Sequence, residues 1–112
     1  FSILHNYEDY MNLFNIEKIP NSEELTTILA ESKNVRIERI ISSGQTSSEG
    51  FWYDQNENEF VALLQGEAVI SYEDGSIRLK AGDTVLIPAH KKHSVDFTSV
   101  EPPCVWICVF YL

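Results

Sequence analysis

Cationic side chains are scarce in this chain: 8 Lys and Arg stand against 17 Asp and Glu, a net charge of −9 over 112 residues. No basic cluster is longer than Lys91-Lys92. Binding to a phosphate backbone rests on many cationic contacts and on the counterions they release, so neither nucleic acid nor an anionic membrane surface is expected as a partner. Long apolar runs are missing as well. Nothing approaches the roughly 20 apolar residues that a membrane helix needs, and the opening Phe-Ser-Ile-Leu-His-Asn-Tyr-Glu lacks the basic start and apolar core of a secretory signal.

Cysteine is equally sparse. Cys104 and Cys108 stand four apart in a segment that reads as a strand, where a rise of about 3.3 Å per residue separates their Cα atoms by about 13 Å, beyond disulfide reach. They read as reduced core thiols, and the reducing cytoplasm is the expected compartment. The serines show no nucleophile elbow and the glycines no phosphate loop, so hydrolase chemistry has no support.

What is present points to a single all-β domain. A chain of 112 residues has room for one core, and the prominence of Val, Ile, Phe, Tyr and Trp favours pleated surfaces. Residues 1–34 read as an arm and a short helix packed on a barrel formed by residues 35–112. In the arm, a short strand is expected near Leu13–Ile16, and His5 has no companion. Pro20-Asn21-Ser22-Glu23-Glu24 reads as a helix start, with Leu25, Ile28 and Leu29 on one face and an end near Ser32 to Asn34.

Strand signals then run to the end: residues 35–41, 51–54, 59–65, 67–72, 76–80, 84–87, 94–98 and 104–112. Glu73-Asp74-Gly75 is a strong hairpin signal. Eight short strands at this spacing imply a sandwich or barrel. Side chains alternate along a strand, which places His93, Val95 and Phe97 on one inward face. Glu59 shares a face with Val61 and Leu63, but Phe60, Ala62 and Leu64 make the opposite face apolar too, so alternation leaves that strand unoriented. Val105 to Leu112 is apolar on both faces, and a homodimer is the expected way to cover it.

Two spacings carry a family resemblance. Glu59 is followed by six residues and Gly66; Gly82 is followed by five residues, Pro88, one residue, His90, two residues and His93. The pair resembles the two motifs of the cupin superfamily, G-x5-H-x-H-x3,4-E-x6-G and G-x5-P-x-G-x2-H-x3-N. The resemblance covers roughly Val35 to Leu112 and implies a small jelly-roll barrel. In metal-using cupins, two histidines and the glutamate of the first motif and the histidine of the second hold a divalent metal. Here only Glu59 and His93 match. The paired histidines fall on Tyr53 and Gln55, or on Trp52 and Asp54; His90 replaces a glycine and Phe97 an asparagine.

The resemblance therefore implies an interior small-molecule pocket, with Zn, Ni, Mn or Fe held by Gln55, Glu59 and His93, and Asp54 and His90 as further candidates. One imidazole among oxygen donors makes a weak, hard site. Tyr53, Arg39, Val61, Val95 and Phe97 are the expected lining. Plainer roles stand beside these: Glu59 paired with Arg36 or Arg39, and His93 hydrogen-bonded to Tyr53 or Glu59 without metal. A binding barrel, a metal-dependent dioxygenase, decarboxylase or isomerase, and a metal-free epimerase-like catalyst using His93 and Tyr53 are the functional readings. The missing histidines favour binding.

Overall fold

The computed structural model describes residues 10–112, which leaves the reading of His5 outside the described residues. Seven strands follow the expected pattern closely: β2 (Val35–Ser42), β3 (Asn58–Gln65), β4 (Glu67–Tyr72), β5 (Gly75–Lys80), β6 (Thr84–Ile87), β7 (His93–Thr98) and β8 (Cys104–Tyr111). With β1 (Leu25–Ser32) they form two antiparallel sheets, a five-stranded one in the order β1-β2-β8-β3-β6 and a three-stranded one in the order β5-β4-β7. The all-β jelly-roll expectation holds. The hairpin signal also holds, since Tyr72 pairs with Gly75 across Glu73-Asp74.

The expected helix over residues 22–34 does not form. Its place is taken by β1, which pairs with β2 from Leu25↔Ile41 to Ser32↔Val35. The β-branched Thr26, Thr27 and Ile28 suit a strand, and without β1 the edge of β2 would present a row of unpaired backbone groups. A register shift between Ile28 and Ala30 absorbs Leu29, so the 25/28/29 spacing that imitates a helical face is accommodated as a bulge. Two smaller expectations also fail. Residues 51–54 make a single bridge, Tyr53↔His93, and the segment near Leu13–Ile16 turns, with Asn12 Oδ1 accepting the Phe14 amide.

Alternation decides what faces inward. The inner face of the five-stranded sheet carries Glu38, Ile40 and Ser42 from β2, Trp106, Cys108 and Phe110 from β8, and Glu59 and Val61 from β3. Opposite them stand Ile70 on β4 and His93, Val95 and Thr98 on β7. Leu63, Ala68, Leu79 and Cys104 close one end of this interior and are almost wholly buried. Each large apolar side chain removed from water there contributes roughly 1.5–3 kcal/mol. The other end is left open to a cavity.

Candidate functional site

A cavity of about 170 Å³ lies between the two sheets. Its polar end is built by Gln55, Glu59 and His93, with Tyr53 beside them. Glu59 reaches it because β3 pairs with both β8 and β6 and therefore lies inside the sheet. His93 reaches it as the first residue of β7, locked to Tyr53 by a reciprocal pair of backbone hydrogen bonds of 2.7 and 3.1 Å. The Tyr53 and His93 rings stack with centroids 5.3 Å apart. Tyr53 has its hydroxyl pKa raised by burial and by the Glu24 and Glu59 charges.

Glu59 and His93 are 8% and 5% exposed, and Glu59 Oε1 stands 3.6 Å from His93 Nε2. The other ring nitrogen, Nδ1, is 2.9 Å from the Lys91 carbonyl. Only a protonated Nδ1 satisfies that acceptor, so Nε2 is the nitrogen that gains or loses a proton in the cavity. Burial pulls the His93 pKa down, but Glu59 and the Lys91 carbonyl outweigh it, leaving the value above the ordinary one. Gln55 Nε2 donates to Glu59 Oε1 at 3.1 Å. Cys108 also lines the cavity, but burial first, then Glu59, drive its pKa upward, so it stays a thiol.

Among the described residues no three His, Cys, Asp or Glu side chains converge on one point. His93 Nε2 and the Glu59 carboxylate are the donors that could meet a metal, and Gln55 is the one expected companion that reaches them. Asp54 and His90 do not join this set. They pair with each other at 2.8 Å on the surface, with side chains 44% and 64% exposed. His90 sits at φ 64°, a left-handed conformation that turns its ring outward while its amide bonds to the Gln55 carbonyl at 2.7 Å.

Two expected lining residues are elsewhere. Phe97 is 40% exposed and packs near Arg78. Val95 pairs with Ile70 and Phe97 with the adjacent Val69, so Asp96 is an extra residue in β7. This bulge reverses the alternation and sends Thr98 inward in place of Phe97. The hydroxyls of Ser71 and Ser94 both donate to Asp96 there. Arg39 lies on the outward face of β2 and donates to the Leu13 and Asn15 carbonyls, holding the N-terminal segment against the sheet.

Glu24 and Glu38 line the cavity and are not on the sequence-derived site. Glu38 was legible only through its alternation with Ile40, which Ile37 and Ile41 on the other face obscure. Glu24 stands at the mouth, where burial of its carboxyl and the Glu59 and Glu38 charges raise its pKa. Glu38 accepts from Arg36 Nε at 2.6 Å, and the same guanidinium binds both Glu57 oxygens at 3.2 Å. Glu59 is therefore not the arginine's partner.

Residues 39–110 match the family model described as the cupin domain. A Ralstonia eutropha protein, provisionally assigned as a mannose-6-phosphate isomerase, is 38% identical, covering 91% of this chain and 96% of its own, with a TM-score of 0.86. A cupin superfamily protein of Desulfitobacterium hafniense is 25% identical over 85% of this chain and 83% of its own, with a TM-score of 0.71. KdgF of a Halomonas species is 15% identical over 92% of this chain and 94% of its own, also at 0.71, and shares the fold alone. No curated protein sequence matches.

Proposed function

The chain belongs to the cupin family, and from that premise we propose that the interior cavity receives a small molecule whose polar end is held by Gln55, Glu59 and His93. The observation that carries this reading is the buried Glu59 and His93 pair facing one another into open space. A buried ion pair is a weak source of stability, because desolvation offsets its attraction. At the end of a cavity it is instead a proton-holding group. Nε2 can hold a proton beside the Glu59 carboxylate and exchange it with a ligand hydroxyl within hydrogen-bond reach.

The donor set suits at most a loosely held divalent metal, which His93 Nε2, a Glu59 oxygen and Gln55 would bind. Such an ion would supply polarisation of a ligand oxygen. Titration of chelator-treated protein with Zn, Ni, Mn or Fe salts is expected to show weak binding that His93→Ala removes. Stoichiometric metal surviving dialysis would overturn the loose-site assignment. Soaking or titrating the protein with small-molecule libraries tests the pocket itself, with ligand density or shifts at Glu59 and His93 as the supporting result.

We also propose a homodimer through the outer face of the five-stranded sheet. Phe60 and Leu86 pair across β3 and β6 on that face and are 39% and 57% exposed, and such a patch beside an open strand edge is a docking surface. Light scattering is expected to give twice the 12.8 kDa chain mass, falling to the single mass for Phe60→Glu with Leu86→Glu. A monomeric parent protein sinks this reading.

A further inference from the structure

We propose that the cavity selects a small organic cation, an ammonium group on a compact apolar body, and rejects anions of the same size. This rests on the small-molecule reading above and deepens it. The charged residues lining the cavity are Glu24, Glu38, Glu59 and His93, with neither Lys nor Arg among them. Carboxylates outnumber the imidazole even when it is protonated. Arg36 relieves Glu38 only in part, since it also serves Glu57 and lies over the Phe110 ring at 4.4 Å. Glu24 has no ion-pair partner among the described residues.

The hydrogen-bond inventory gives a second, independent argument. A bound anion needs charged or converging donors, and the lining's nitrogen donors and the Thr98 hydroxyl are engaged by the protein, which leaves the neutral hydroxyls of Thr26, Ser42 and Tyr53. Thr98 Oγ1 donates to the Gln45 carbonyl at 2.7 Å, Gln55 Nε2 to Glu59, and Trp106 Nε1 to Ser42 Oγ at 2.9 Å. His93 Nδ1 is committed to the Lys91 carbonyl. What remains in the lining is carboxylate oxygens, three neutral hydroxyls and aromatic rings, with no cationic donor besides His93. Tyr53, Trp106 and Phe110 supply aromatic surface to the same cavity, and an aromatic face attracts an ammonium group once water is excluded. Ile40, Val61, Ile70 and Val95 suit an apolar body.

Size narrows the class. A cavity of about 150 Å³ holds one benzene, and this one, at about 170 Å³, is of that scale. A sugar nucleotide is far larger, and a phosphate ester would set its dianion against three carboxylates. A divalent metal alone would answer the charge but would leave the aromatic and aliphatic walls without a role. An ammonium ion with a few carbons uses every part of the lining.

The test compares choline with 3,3-dimethylbutan-1-ol, its uncharged counterpart of the same shape, and with inorganic phosphate, all in chelator-containing buffer. The indole N–H resonance of Trp106 reports cavity occupancy, and that of Trp52, 38% exposed, serves as an outside control. Choline is expected to shift Trp106 with an affinity at least about tenfold above the alcohol's, while phosphate leaves it unmoved. In Glu24→Gln with Glu38→Gln the choline preference should collapse while the alcohol binds as before. Should the double variant not fold, Glu24→Gln alone at the mouth carries the comparison. Equal affinities for choline and the alcohol, or a shift with phosphate, overturn the cation assignment but leave the pocket standing. If none of the three probes moves Trp106, the small-molecule reading falls with it.

Discussion

Gly66→Ala is expected to destabilise the protein by about 2–6 kcal/mol, from about 1–3 kcal/mol of backbone strain and a comparable amount of overpacking. Gly66 joins β3 to β4 where the chain passes from one sheet to the other, at φ +92°. A Cβ there would meet Ser99 Oγ at 2.7 Å, Cys104 Sγ at 2.9 Å and the Cys104 Cα at 3.0 Å. Cys104 cannot step aside, because it is wholly buried, its main chain pairs with Ser42, and its thiol donates to the Glu67 carbonyl. Gly82 is the matched control: its φ is +96° but nothing lies within 4 Å of an added Cβ. Urea denaturation should therefore show Gly82→Ala losing only the strain component. Equal losses at the two positions would mean that the sheet crossing yields easily.

Glu59→Gln is expected to remove about 1.5–3 kcal/mol of stability, the scale of a hydrogen bond to a charged group, and to do so only at the acid end of the neutral range. The His93 pKa in the folded protein is raised above its ordinary 6.5, with burial opposing and Glu59 and Lys91 prevailing. A raised value means that the folded state binds the proton more tightly than the unfolded one. The resulting stabilisation is complete below about pH 6.5 and disappears as pH climbs through the folded value. Without the Glu59 charge, burial of the ring prevails and the imidazole sheds its proton at lower pH. Denaturation curves for parent and variant should thus differ most near about pH 6 and converge near about pH 9. Parallel curves across that range would show that the Glu59 charge does not hold the proton on His93. The variant should also lose ligand affinity, since it removes the carboxylate at the polar end of the cavity.

The placement of Glu59 and His93 together was legible only through the resemblance to the two cupin motifs, since alternation left the Glu59 strand unoriented. Six residues between Glu59 and Gly66 and ten between Gly82 and His93 match those motifs and mark where the chain must turn. The hairpin at Glu73-Asp74 was legible without the resemblance, as turn chemistry is local. Phe97 was misplaced because a bulge at Asp96 leaves no mark in alternation. Residues 25–32 were misread because their apolar spacing satisfies a helix equally well, and only the open edge of β2 chose between the two.

From its order of residues alone, then, the chain determines a β-rich fold, its turn positions and an inward His93, while the meeting of His93 with Glu59 came from the motif resemblance. The tertiary structure decided that Glu24 and Glu38 face the same cavity, that Asp54 and His90 pair outside it, and that Arg39 ties down the N-terminal segment. The division has a physical basis. Turns and strand starts are set by neighbours within a few residues, whereas the face a side chain presents depends on register and on which distant strand arrives beside it.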